Sequence, residues 1–148
     1  MNLLFCINPK FRPLLCQCLQ SIVKNGGEEA YDAYILHSDL TEEDFGAIEA
    51  VSDRVHCRFV TVNAGDFEGF PESSRYPRQI FYRLAAPLLL PKELDRILYL
   101  DVDTLVINPL RELYAMEFAG NYYIACTHVR ETLTRLNDRR LNVPAGTP

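Results

Sequence analysis

Short apolar runs alternate along this chain with stretches whose apolar residues recur every three or four positions. Residues 3–7 form one continuous run, the pattern of a strand covered on both faces. Phe11, Leu15, Cys18, Leu19 and Ile22 then follow at helical spacing until Asn25-Gly26-Gly27 stops the helix. A second strand is predicted over 33–36. Next comes a helix opened by Thr41 as cap and Asp44 three residues on, with Leu40 and Phe45 placed as a hydrophobic staple and Ile48 and Val51 continuing its apolar face. Cys57, Phe59, Val60 and Val62 predict a third strand. A loop rich in Gly, Pro and charge spans 63–77, and a helix over 78–90 carries Pro87, which should kink or end it. A strand at 96–106, a short helix at 110–115 and a fifth strand at 122–126 complete the pattern. Strand and helix alternate almost throughout, so the fold class is α/β with a mostly parallel sheet flanked by helices.

One run carries chemistry. Arg96-Ile97-Leu98-Tyr99-Leu100-Asp101-Val102-Asp103-Thr104-Leu105-Val106 delivers two carboxylates, two positions apart, from an apolar strand. In extended backbone, residues i and i+2 point to one side, so Asp101 and Asp103 are expected to converge. Two anions held close repel unless a cation lies between them, and carboxylate oxygen suits a hard divalent ion. The bland reading is a strand-end turn whose carboxylates cap a backbone amide.

Composition narrows the classes. The 148 residues are 48% hydrophobic, enough for one ordinary core, and the net charge of −5 argues against a nucleic-acid binder with a basic face. No apolar run approaches the roughly 18 residues a membrane-spanning helix needs. The N-terminus lacks a basic leader and cleavage site and reads as a first strand, so a cytoplasmic setting is expected. Cys6, Cys16, Cys18, Cys57 and Cys126 are odd in number and sit in apolar segments, as reduced core thiols do. The tail 142–148 is loop-like and closes on no helix or strand, which reads as part of a larger domain.

Taken in order, these segments resemble family 8 of the retaining glycosyltransferases, the group containing glycogenin and bacterial lipopolysaccharide galactosyl- and glucosyltransferases. The matching stretches are Leu4-Phe5-Cys6-Ile7-Asn8-Pro9-Lys10-Phe11 at the first strand and turn, Leu19-Gln20-Ser21-Ile22 at the helix, Phe81-Tyr82-Arg83-Leu84, Ile97-Leu98-Tyr99-Leu100-Asp101-Val102-Asp103, and Leu113 through Cys126. The resemblance implies a Rossmann-like GT-A glycosyltransferase fold, with residues 1–148 as the nucleotide-sugar-binding part of a single domain whose C-terminal portion is missing. It implies transfer of a hexose from a nucleotide sugar, UDP-glucose or UDP-galactose, to a saccharide acceptor with retention of configuration.

By the same resemblance, Asp101 and Asp103 ligate Mn2+ or Mg2+ bridging the donor diphosphate, Asn8 approaches the uracil, and Arg83 binds near the nucleotide or the acidic pair. The third metal ligand and a diphosphate-binding Lys belong to a later motif beyond residue 148, as does any peripheral membrane association. Where the family often has Asp and Asn, this chain has Asn8 and Lys10. A family Asp facing the donor sugar falls near His128, to which no role is assigned.

Bland readings stand beside these. Arg83 can instead pair with an acid such as Glu93 or Asp95, and Asn8 can simply turn the chain. Lys10 reads as solvated, Tyr122 and Tyr123 as core and surface packing, His37 and His56 as ordinary strand residues, and Arg75, Arg78 and Arg83 as a local positive patch. No residue identifies itself as a catalytic nucleophile. The alternatives to a transferase are a non-catalytic nucleotide-sugar-binding fragment and a haloacid-dehalogenase-type phosphatase. The second needs a glycine after its acid pair, where this chain has Thr104, and normally places that pair after the first strand.

Overall fold

The computed structural model describes residues 1–70 and 78–126. Four parallel strands form one sheet: β1 Asn2–Cys6, β2 Tyr31–His37, β3 Val55–Thr61 and β4 Leu98–Tyr99, in the order β3-β2-β1-β4. Helices α1 Arg12–Asn25, α2 Glu42–Glu49, α3 Tyr82–Leu89 and α4 Arg111–Tyr114 connect or follow them.

Both faces of β1 are covered, which is why its sequence is apolar without alternation. Leu3, Phe5 and Ile7 pack with Ala33 and Ile35 against Leu15, Cys18, Leu19 and Ile22 of α1 and Ile48 of α2. On the opposite face Leu4 and Leu36 pack with Phe67 against Tyr82 and Ala86 of α3. Each fully buried aliphatic or aromatic side chain contributes about 1.5–3 kcal/mol relative to exposure. The outer strand β3 is only half covered, as an edge position allows.

The predicted cap of α2 is formed. Thr41 accepts from the Asp44 amide at 3.3 Å, and Asp44 accepts in return from the Thr41 amide at 2.9 Å. Asp44 also pairs with Arg12 at 2.9 Å, tying α2 to the start of α1. These bonds, led by the Thr41 amide, hold the Asp44 carboxyl below the usual carboxylate range. At the end of β2, His37 is buried edge-on against the stacked rings of Phe45 and Phe59, and its Nδ1 accepts from the Leu40 amide at 3.3 Å. Burial lowers its pKa. Arg54 closes the far end of α1, donating to the carbonyls of Val23, Glu28 and Glu29.

Three expectations are corrected. The helix at 78–90 opens as a 3-10 turn, Arg78–Phe81, and α3 ends at Leu89, two positions past Pro87. Of the five cysteines only Cys18 is fully buried, and Cys126 is exposed. No strand forms at 122–126: this stretch meets no ladder partner among the described residues, and Tyr122 and Tyr123 are exposed rather than packed.

Residues 1–115 form one compact unit and 116–148 a second. In the latter, Asn121 closes a turn on the Phe118 carbonyl through its amide and side chain, with Ala119 and Gly120 at positive φ.

Candidate nucleotide and metal site

The strand order places the site. From β1 the chain moves outward through β2 to β3 and then returns to the other side of β1 to lay down β4. In open α/β sheets, ligands gather beyond the carboxyl ends of the strands where the strand order reverses. Asn8 follows β1 and Asp101 follows β4, so the reversal puts two sequence-predicted residues beyond the carboxyl ends of neighbouring parallel strands.

The acids are not held by extended backbone. Strand β4 ends at Tyr99, and the Thr104 amide donates to the Asp101 carbonyl at 3.1 Å, closing a turn that contains both carboxylates. Asp readily opens such turns. The i, i+2 relation instead joins Tyr99 to Asp101: the phenol Oη donates to Asp101 Oδ1 at 2.6 Å. Arg83 Nη1 lies 4.0 Å from that same oxygen, and its guanidinium sits 4.9 Å from the Tyr99 ring centre. The Arg83 Nε–H donates to the Ile80 carbonyl at 2.9 Å, fixing the fork from behind. This Arg–Asp pair is largely exposed and contributes under about 1 kcal/mol by itself. Its acid is Asp101, not Glu93 or Asp95.

Burial, then the bond to Asp101, raises the Tyr99 pKa, so the phenol stays a donor through ordinary pH. Cys6 lies below, its thiol pushed up to about 12 by burial, with Arg83 lowering it and Asp101 raising it. Asp103 is exposed and makes no hydrogen bond or ion pair among the described residues. Its charge reaches Cys18 on α1, where burial first and then this acid push the thiol to about 11.

Asn8 has extended backbone, and its Oδ1 accepts from the Lys10 amide at 3.1 Å, capping the 3-10 turn Pro9–Phe11. The side-chain amide donors of Asn8 remain available to a ligand. No hydrogen bond joins Asn8 to Arg83 or to the acids among the described residues, and Lys10 is exposed. Arg75 and His128 lie outside the described residues.

The donor set suits a hard divalent ion. Among the described residues Asp101 Oδ2 and both oxygens of Asp103 are unengaged, and both acids are exposed. Among the described residues no third His, Cys, Asp or Glu joins them. Sequence reasoning overlooked Tyr99 as a site residue, although an aromatic two positions before an acid, in a strand, shares its face.

A Haemophilus influenzae protein carrying a glycosyltransferase name is 28% identical over 128 residues, 85% of this chain and 38% of its own length. An Escherichia coli lipopolysaccharide 1,2-glucosyltransferase is 26% identical over 106 residues, 70% of this chain and 31% of its own length. The chain thus spans about a third of the curated relatives it matches. The crystal structure of the galactosyltransferase LgtC in complex with donor and acceptor sugar analogues superposes with a TM-score of 0.85 at 23% identity, over 99% of this chain and 53% of that one. An LgtC active-site mutant gives 0.86 at 22%. The fold is therefore the GT-A glycosyltransferase fold, represented over about half its extent. The description of Glycosyl transferase family 8 matches residues 2–145, and the chain belongs to that family.

Proposed function

We propose that this chain is the donor-binding part of one metal-dependent glycosyltransferase domain, which transfers a hexose from UDP-glucose or UDP-galactose to a saccharide acceptor with retention of configuration. The observation that carries the reading is the reversal of strand order between β1 and β4, with Asn8 just after the one strand and the Asp101–Asp103 turn just after the other. Asp101 and Asp103 would hold Mn2+ or Mg2+ against the donor diphosphate. A bound divalent ion supplies Lewis-acid stabilisation of the departing diphosphate. Arg83 adds positive charge on the same side, and Asn8 offers its amide to the base.

The lipopolysaccharide glucosyltransferase relative and the LgtC complex with sugar analogues support this substrate class. A cytoplasmic setting goes with the reading, and no helix among the described residues is long and apolar enough to cross a membrane. Two details count against the phosphatase alternative: Thr104 stands where that motif requires glycine, and the acids follow the fourth strand.

Calorimetric titration of UDP with and without manganese tests the proposal. Binding should need the metal and should weaken by at least about a hundredfold in Asp101→Ala or Asp103→Ala, since losing only an outer partner of a ligand already costs about ten- to hundredfold. UDP binding indifferent to manganese and to both substitutions removes the reading. An assay of sugar release or transfer with UDP-glucose or UDP-galactose then separates transfer from binding alone.

A further inference from the structure

The turn that carries the acids has two limbs, and each is anchored differently. On the entry limb the last main-chain bond runs from the Leu100 amide to the Leu4 carbonyl of β1, at 3.1 Å. On the exit limb no strand pairs with the chain among the described residues. Instead the Val106 amide donates to Ser21 Oγ at 2.9 Å, and the Val106 carbonyl accepts from Asn25 Nδ2 at 2.7 Å. Two side chains of α1 thus satisfy both main-chain groups of one buried residue, as a neighbouring strand would. The Leu110 amide then donates to the Gly26 carbonyl at 2.9 Å.

Local chemistry suits Ser21 and the glycines to this task. Ser21 donates its own proton to the Cys18 carbonyl at 2.7 Å, so its oxygen is left to accept. Gly27 has φ +86, and a Cβ there would lie 3.1 Å from Pro109 Cβ, so glycine lets the descending limb pass. Val106 and Leu110 are buried in the α1 core while their neighbours Leu105 and Ile107 are 65% and 77% exposed. The limb is therefore pinned at chosen points and not swallowed whole. Between Leu100 and Val106 lie Asp101 and Asp103, within a short loop fixed at both ends.

We infer that Ser21 and Asn25 are positioning residues for the acid pair: their bonds to Val106 set where Asp103 stands relative to Asp101. The inference rests on the reading of those acids as the metal-holding pair. An outer partner of a ligand typically changes metal affinity ten- to hundredfold, and these side chains act one step further out, through the backbone.

The test is manganese binding to the full chain in the presence of UDP, followed by electron paramagnetic resonance, with thermal unfolding measured in parallel. Ser21→Ala/Asn25→Ala should bind manganese about tenfold more weakly, and Ser21→Thr, which keeps the hydroxyl, should bind as the parent does. Thr41→Ala, which destabilises distant α2, should lower the unfolding temperature and leave manganese affinity alone. If the double variant does not fold, Ser21→Ala alone carries the test, with a weakening of about threefold.

Parent-like manganese affinity in the Ser21 and Asn25 variants, alongside loss in Asp103→Ala, overturns the positioning role and leaves the metal reading standing. Parent-like affinity in Asp103→Ala overturns both. Equal weakening in Thr41→Ala reduces the effect to general destabilisation and overturns the positioning role.

Discussion

The two flanks of strand β1 are held by different means. Toward β2 and β3 the sheet is built from strands of seven residues in continuous parallel register, roofed by α1 and α2. Toward β4 only two residue pairs are in register, Leu3 with Leu98 and Leu4 with Tyr99. There, side chains replace the ladder. Asn2 Nδ2 and Tyr114 Oη both donate to the Arg96 carbonyl, Tyr99 holds Asp101, and Ser21 and Asn25 hold Val106. Apolar burial defines the first flank and individual donors and acceptors define the second. The lesson is that the flank bearing the acid pair is specified by a few polar atoms, so it can be mistuned without unfolding the protein.

The largest expected contrast is between core truncations. Phe5→Ala should destabilise by about 3–5 kcal/mol, as for a fully buried aromatic. Leu98→Ala, half-buried on β4, should lose less than about 2 kcal/mol. Urea unfolding measures both, and equal losses would erase the distinction between flanks.

Tyr99→Phe comes next. Removing one hydroxyl from Asp101 should weaken manganese-dependent UDP binding roughly fivefold, the equivalent of about 1 kcal/mol, while the unfolding midpoint barely moves. A fall in stability with intact binding would show that the phenol serves the fold instead.

Thr41→Ala should cost about 1 kcal/mol of stability through loss of the α2 cap, read as a lower thermal midpoint with unchanged UDP affinity. The smallest effect is set by pH. The folded pKa of His37 lies below its ordinary value of 6.5, because burial and the Leu40 amide favour the neutral ring, although Asp39 and Asp44 pull the other way. The unfolded chain therefore takes up this proton first, and stability is full above about pH 6.5 and declines below it. Asp44, held below 3.8, adds its own loss only under more acid conditions. Thermal midpoints across this range should show the earlier decline, and His37→Gln should remove it.

The first flank was legible in the sequence because its signals are local or periodic. The unbroken run through Leu3 and Phe5 announced a doubly covered strand, and Thr41 with Asp44 announced the start of α2. The second flank was legible only in part. That Asp101 and Asp103 leave an apolar strand could be read from the chain, and the Arg83–Asp101 proximity was among the expected outcomes. That they sit in a turn could not, since alternation assumes a neighbouring strand and β4 has one only as far as Tyr99. The bonds from Ser21 and Asn25 link positions far apart in the chain, a relation no periodicity encodes. Residues 122–126 have strand composition, yet composition confers no pairing partner.

The brevity of β4 also sets how readily this part of the molecule opens. Local opening is easiest where few buried contacts and few ladder bonds must break together. The amide of Leu100 should therefore exchange with solvent deuterium well before that of Ile35 in the middle of β2. The turn that carries Asp101 and Asp103 can breathe on its own, and a ligand bound there would quiet that motion without asking the central strands to rearrange.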